Sequence, residues 1–539
     1  MASSKDEKEA AMSTISESDG GDYDTSDAKE MRMMGKKQQL RRNFEYWSIL
    51  AFSCCTMITW SGQLITFTTG LENGGPQGLV ISMLVIWSAM AAIVASLAEL
   101  MSMWPTNAGQ FFWCYNLSPP KLAPFLSYLC GWLTALAWQA ATASACFLGG
   151  TYIQGLIVLN NPSYVPKPWQ AVLLTYAILF FALIANTLLA RWLHAVEWFV
   201  FFIYVSGFVV VLITVTVLSP HKSSAHDVFQ VFFNEGGWSS DGLSWWVGLQ
   251  GIVFAWLGAD GAIHMAEECR NASKVLPRSL IRSVGINGTL SFAMLLAILF
   301  CGGDLLAALK SPTGYPIQEI LTYATGSTAG GTGLAIILLL TVIFAVIGNA
   351  AAASRQLWAF ARDRGLPGSS WLSFVHERTK LPLSSILVTA LFTMLLNLIQ
   401  LGSDVALNAL LSLNNAAYMS SYMLPIGLVL YRRVQAIRGK GKELPWGPWR
   451  LGKWTGIVIN AYALMCAVMI VISSFFPPAV SPNATSMNWS SAVFSGILAF
   501  ALVFWMVDGK NRFHGPVRNA ATGAVAVGPV EPVMGWLKA

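Results

Sequence analysis

The chain has 539 residues, 55% of them hydrophobic and 11% charged, with a formal net charge of +6. Soluble domains carry about 25% charged residues, so this composition is that of a membrane protein and excludes an ordinary soluble globule. The positive balance does not point to nucleic acid, because the basic residues follow the loops between apolar runs instead of forming a patch.

Residues 1–43 are rich in Ser, Asp, Glu and Lys, and read as a disordered tail without a cleavable signal peptide. A bilayer-spanning helix needs about 20 apolar residues. Twelve runs meet that length: 44–71, 79–101, 125–148, 171–189, 195–218, 245–266, 280–301, 334–352, 383–401, 406–430, 454–475 and 491–507. The expected fold is an all-α integral membrane protein, a domain over 44–508 followed by a tail over 509–539. With the N-terminal tail in the cytoplasm, all but three of the 33 Lys and Arg residues (Lys167, Lys222 and Lys310) fall on the inner side. The alternation supports twelve spans with both ends cytoplasmic. Two sequons, at Asn483 and Asn488, lie in the outer loop before the last span, whereas that at Asn271 lies inside.

Two spans are interrupted. In the sixth, Gly258-Ala259-Asp260-Gly261 places two glycines and an acid at mid-membrane; in the first, the run from Cys54 to Gln63 is small and polar, with a break over Thr59 to Gln63. Irregular backbone at that depth survives only against protein or a water-filled cavity. Corresponding breaks in two halves point to a solute site between inverted repeats, where half-helix N-termini face an anionic group. Packing glycines are the plainer explanation of either break alone. The candidate substrate residues are Thr59, Trp60, Ser61 and Gly62 on the first span, and Phe254, Trp256, Gly258 and Asp260 on the sixth.

Asp260 has three readings: a partner for a substrate ammonium, a proton-coupling group, or an N-cap on a half-helix starting near Ala262. Glu99 in the second span and Glu267 join it as coupling or gating candidates. The simpler reading of Glu267 and Glu268 is interfacial charge facing Arg270 and Lys274. Trp60 and Trp256 flank the breaks, where an aromatic face would hold an ammonium by about 2 kcal/mol when desolvated, and ordinary packing is the alternative. The eight cysteines show no CxxC pair or metal spacing and read as small buried side chains, so neither metal nor cofactor is expected. No nucleotide-binding or hydrolase motif is present, which argues against an enzyme or a primary pump.

Ser96-Leu97-Ala98-Glu99-Leu100, then 105–113 (PTNAGQFFW) and Pro119, resemble the SLAEL…PTAGGQYYW…AP signature of the fungal amino acid/choline transporters, part of the amino acid–polyamine–organocation superfamily. GGP at 74–76, DGAIHMAEE from Asp260, SRQLWAFARDRGLP at 354–367, GPWRLGKW from Gly447 and HGP at His514 fit as well, so the likeness covers roughly 44–516. It implies a five-plus-five inverted repeat with discontinuous helices one and six, plus helices eleven and twelve. It implies import of GABA, another amino acid, choline or a related amine across the plasma membrane, by alternating access and usually by symport with protons. Where choline-type members typically carry Asn-Ser-Trp at the first break, this chain has Ile58-Thr59-Trp60. The alternative from another class is a transport-like nutrient sensor with little flux.

Overall fold

The computed structural model describes residues 30–31, 34–36, 39–40, 42–402, 405–441 and 443–517. Most of the expected N-terminal tail, and the last 22 residues of the expected C-terminal one, lie outside them. The chain divides into two units, residues 1–38 with 518–526 and residues 39–517 with 527–539. The second carries everything that follows.

Every regular element among the described residues is helical. Eleven helices are long and apolar enough to cross a membrane. The twelfth crossing is span ten, Ala406–Ile437, a 32-residue helix of lower hydropathy. Its Ser412, Asn414, Asn415 and Ser421 are 0–2% exposed, so the polarity that weakens its lipid signal faces protein. Three spans outrun their apolar cores: span three is Ala123–Asn160, span eight Thr328–Arg362, and span ten ends at Ile437. Span three packs most extensively against spans eight and ten, and span two (Gly75–Met103) against span seven (Ala272–Cys301).

The most apolar stretch of span one is wholly buried, whereas that of span twelve, Ser490–Arg512, is only 11% buried and presents its apolar surface outward. A helix without amphipathic character on the inside, ringed by helices with exposed apolar faces, is what lipid as solvent selects.

Both expected breaks are present, with shifted positions. Span one comprises Tyr46–Met57, Thr59–Thr66 and Thr68–Glu72, and the chain turns at Ile58, which is left-handed at φ 44° and ψ 37°. Thr59 to Gln63 are therefore helical and not the break itself. An isoleucine in that region is costly, because its branched Cβ crowds the following carbonyl. Span six comprises Asp241–Gly248 and Gln250–Phe254, turns at Gly258 (φ 98°), and continues as a 3-10 helix over Ala259–Glu268. That second half starts three residues earlier than its sequence suggests. Ten residues of 3-10 geometry is unusually long and marks a hinge or strain. The two broken spans cross backbone to backbone, since a Cβ on Gly251 would lie 1.9 Å from the Thr66 carbonyl oxygen.

Candidate functional site

The two breaks touch. A Cβ on Gly258 would meet the Thr56 carbonyl oxygen at 3.2 Å. Beside this contact is a cavity of about 30 Å³ lined by Ile58, Phe254, Gly258, Asn349, Asn414 and Tyr418, among others. No charged side chain lines it. Its polarity is unspent: both amide atoms of Asn414 and the Tyr418 hydroxyl are buried without a hydrogen-bond partner. Orphaned groups of that kind cost about 1–3 kcal/mol each unless a water or another molecule completes the bonding. Thr59–Thr66 and Ala259–Glu268 also begin here without side-chain caps, leaving free N–H groups and positive dipole ends.

A segment between spans two and three holds the second half of span six. Gln110 Nε2 donates to Asp260 Oδ2 at 2.8 Å, the Glu267 N–H donates to Asn107 Oδ1 at 2.7 Å, and Thr106 Oγ1 donates to Glu267 Oε1 at 3.2 Å. His264 Nδ1 lies 2.9 Å from the Asn107 carbonyl oxygen. Gly109, at φ 49°, permits the approach, since a Cβ there would stand 2.9 Å from Ile263.

Asp260 does not cap. Gly258 occupies the cap position and no side chain caps this helix. The Asp260 carboxylate is 1% exposed, its Oδ1 has no partner, and His264 Nε2 stands 3.7 Å from Oδ2. Glu267 and Glu268 do not face Arg270 and Lys274, because the whole of Ala259–Glu268 is buried. Glu267 takes a two-pronged contact from Arg362 at 2.8 and 2.9 Å, and Glu268 pairs with Arg355 at 2.9 Å. Arg270 instead meets Glu45 at the surface. The Phe44 N–H donates to the Glu268 carbonyl and the Arg270 N–H to the Phe44 carbonyl, each at 3.0 Å, closing this end of the molecule.

Phe254 and Gly258 line the cavity. Trp60 packs on Tyr204 and Phe208, Trp256 stacks on Trp87, and Ser61 bonds to Thr341 at 2.7 Å. The Thr59 hydroxyl is buried without a partner, and Gly62 lies against Ala255. Glu99 is far along span two, paired with Arg433 and accepting the Leu451 N–H at 2.8 Å, so that the SLAEL and GPWRLGKW runs dock on each other. Asn349 and Asn414 escaped the sequence reading, since an amide in an apolar span carries no periodic signal. Glu197 escaped it too: it sits in the first turns of span five, 2% exposed, without hydrogen bond or ion pair among the described residues.

Away from the closed end, a cavity of about 700 Å³ is walled by Thr66, Glu72, Thr151, Tyr315, Asn408 and others. Leu411 of span ten lines the large cavity and Asn414 the small one. Three residues of helix, about 4.5 Å of rise, separate them.

Residues 44–500 match the model of the amino acid permease family. The chain is 30% identical to a choline transporter of Saccharomyces cerevisiae over 492 residues, 91% of this chain and 86% of the relative. It is 27% identical to amino-acid permease 2 of Neurospora crassa over 95% of this chain and 92% of the relative. With an amino-acid permease of Arabidopsis thaliana it shares 28% over 93% of this chain and 99% of the relative. A cavity at paired helix breaks inside a bundle of membrane-spanning helices, together with these likenesses, makes this chain a multi-pass membrane transporter, not an enzyme, that belongs to the amino acid permease family.

Proposed function

We propose that this permease is a secondary active importer of a small amine-bearing solute, an amino acid, GABA or choline, coupled to protons and working by alternating access. Residues 44–508 carry the transport machinery in the plasma membrane, with the tails 1–43 and 509–539 cytoplasmic. The observation that carries the reading is the small cavity between the breaks, with Asn414 and Tyr418 unsatisfied around it, shut toward Phe44 and approached from the other end by the large one. The large cavity is then the outer vestibule, and the Phe44, Glu267 and Glu268 contacts form the inner gate.

Half-helix N-termini favour a carboxylate, and the carbonyls ending Tyr46–Met57 favour an ammonium. With no side-chain charge on the lining, a zwitterion suits the site better than a lone cation. Thr59, Trp60, Ser61, Gly62, Phe254, Trp256, Gly258 and Asp260 remain the substrate-side residues, lining the cavity or setting the two half-helices around it.

The coupling proton resides on Asp260 or Glu197. Both are buried carboxyls, Asp260 with an unpartnered Oδ1 and Glu197 without hydrogen bond or ion pair among the described residues, and ionisable groups inside membrane spans mark proton relays. Glu99 and Glu267 are ion-paired and act as locks.

The test is uptake of labelled GABA, choline, proline and polyamines by permease-deficient yeast at two external pH values. Surface expression without uptake of any of them overturns the transport reading. Asp260→Asn and Glu197→Gln should each be tried; if both retain wild-type pH dependence, neither carries the proton. Asn414→Ala should raise KM for the transported solute at least about tenfold.

A further inference from the structure

A third cavity, of about 450 Å³, lies where spans two, ten and eleven meet, remote from the transport path. The Glu99–Arg433 pair forms its floor. Arg433 is 4% exposed, lies 4.4 Å over the Trp446 ring, and donates from Nη1 to the Gly452 carbonyl at 2.6 Å. Its Nε is buried in the same place without a partner. Gly456 leaves the guanidinium its room, since a Cβ there would fall 2.3 Å from Cζ.

Besides the Glu99–Arg433 pair, the lining carries the cations Arg432, Arg450 and Lys453 and the carboxylate Glu443. Among the described residues no carboxylate ion-pairs with Arg450 or Lys453. Lys453 also opens span eleven, a 21-residue helix without a side-chain cap, whose positive end faces the same space. Tyr431 and Trp454, chain neighbours of the lining residues Arg432 and Lys453, are 49% and 67% exposed. Exposed aromatics next to cations are the pattern of the membrane–water interface.

We propose that this cavity binds the phosphomonoester-bearing headgroup of an anionic lipid in the cytoplasmic leaflet, a phosphoinositide. The proposal borrows only the orientation from the transport reading. A phosphomonoester brings a charge of about −1.5 to −2 and three acceptor oxygens, which matches the cationic excess better than a diester with one charge. A soluble inositol phosphate carries the same chemistry. The aromatic rim, and a span eleven only 28% buried, favour the lipid as its source.

The full chain in phosphatidylcholine nanodiscs should bind phosphatidylinositol 4-phosphate in preference to phosphatidylinositol, by native mass spectrometry, with binding weakened by salt. R450Q/K453Q, two exposed positions, should weaken that binding about tenfold or more while leaving lipid-free thermal stability unchanged. Glu443→Gln, which removes the one opposing charge, should tighten it. Equal binding of the two lipids, or no response in R450Q/K453Q and in Glu443→Gln alike, overturns the proposal. Inositol 1,4-bisphosphate binding as tightly without its lipid chains overturns the lipid source. None of these readouts depends on uptake, so a failed transport assay leaves them intact.

Discussion

Glu72 shows how one side chain tunes a vestibule. It ends the short helix Thr68–Glu72, beyond the membrane-crossing stretch Tyr46–Thr66 and on the wall of the large cavity, and burial together with the charge of Glu235 pushes its carboxyl up to about 7. Lys167 lines the same cavity. Below that value Glu72 is neutral and Lys167 leaves the wall positive; above it the carboxylate cancels the lysine. Entry of a cationic solute should therefore improve as external pH rises from about 6 to about 8, opposing the fall expected from a proton-driven step. Glu72→Gln should remove the rising component and leave the falling one, read as initial uptake rates across that range. A zwitterion should show the effect weakly, so the profile also sorts substrates. Single residues were the least legible part of the sequence. Nothing in it marks Ile58 as the turning point, because isoleucine is among the residues least suited to a left-handed backbone, and it leaves a cap among the three readings of Asp260, where Gly258 takes that place. An asparagine, which the resemblance to choline-type members implies at this position, tolerates that conformation far better. Ile58→Asn should then leave the melting temperature no lower while changing the uptake preference among amines, and an unchanged preference would mean that the side chain never meets the solute.

Elements were read more fully. Twelve crossings announced themselves by apolar length, eleven of which also pass as apolar helices in the structure, and the paired breaks by glycines and small polar residues, because lipid punishes both exposed polarity and irregular backbone. Span ten was legible as a crossing but its polar face was not, since partners such as Gln250, which accepts from Asn415 at 2.8 Å, lie far away in sequence. The crossing of spans one and six is equally hidden, yet it is rigid: at Gly251 the obstacle is the Thr66 main chain, which cannot rotate away. Gly251→Ala should force the half-helices apart, cost about 1–3 kcal/mol or more, and lower the amount of folded protein at the surface by fluorescence size-exclusion. If Gly251→Ala protein is as abundant and as thermally stable as wild type, the crossing is looser than the backbone contact requires.

For the whole molecule, closure at one end is electrostatic. Glu268 and Arg355 are paired with 10% and 2% of their side chains exposed, so losing one partner strands a charge. Arg355→Ala should raise the free energy of the closed state by about 3–5 kcal/mol and bias the permease toward the inward-open form of the proposed cycle. Cys269, fully buried beside that gate, reports the change. Its maleimide labelling should accelerate in Arg355→Ala and slow again in the charge-swapped pair, and unchanged labelling would dissociate the ion pair from gating. The orientation has its own test. Asn483 is exposed, whereas Asn488 is buried and donates to the Ser474 and Phe476 carbonyls at 3.0 and 2.8 Å. Asn483→Gln should therefore abolish a glycosidase-sensitive mobility shift that Asn488→Gln leaves in place.

The cavity of about 30 Å³ at the breaks is room for about one water, not for an amino acid. At the proposed site a solute would therefore bind a rarer, wider form of the same protein, its apparent dissociation constant being the intrinsic one divided by the fraction of molecules already widened. Affinity at the proposed site would thus be set as much by how often Thr56 and Gly258 separate as by any contact the solute makes. A variant that merely loosens that touch would bind more tightly without gaining a single new interaction.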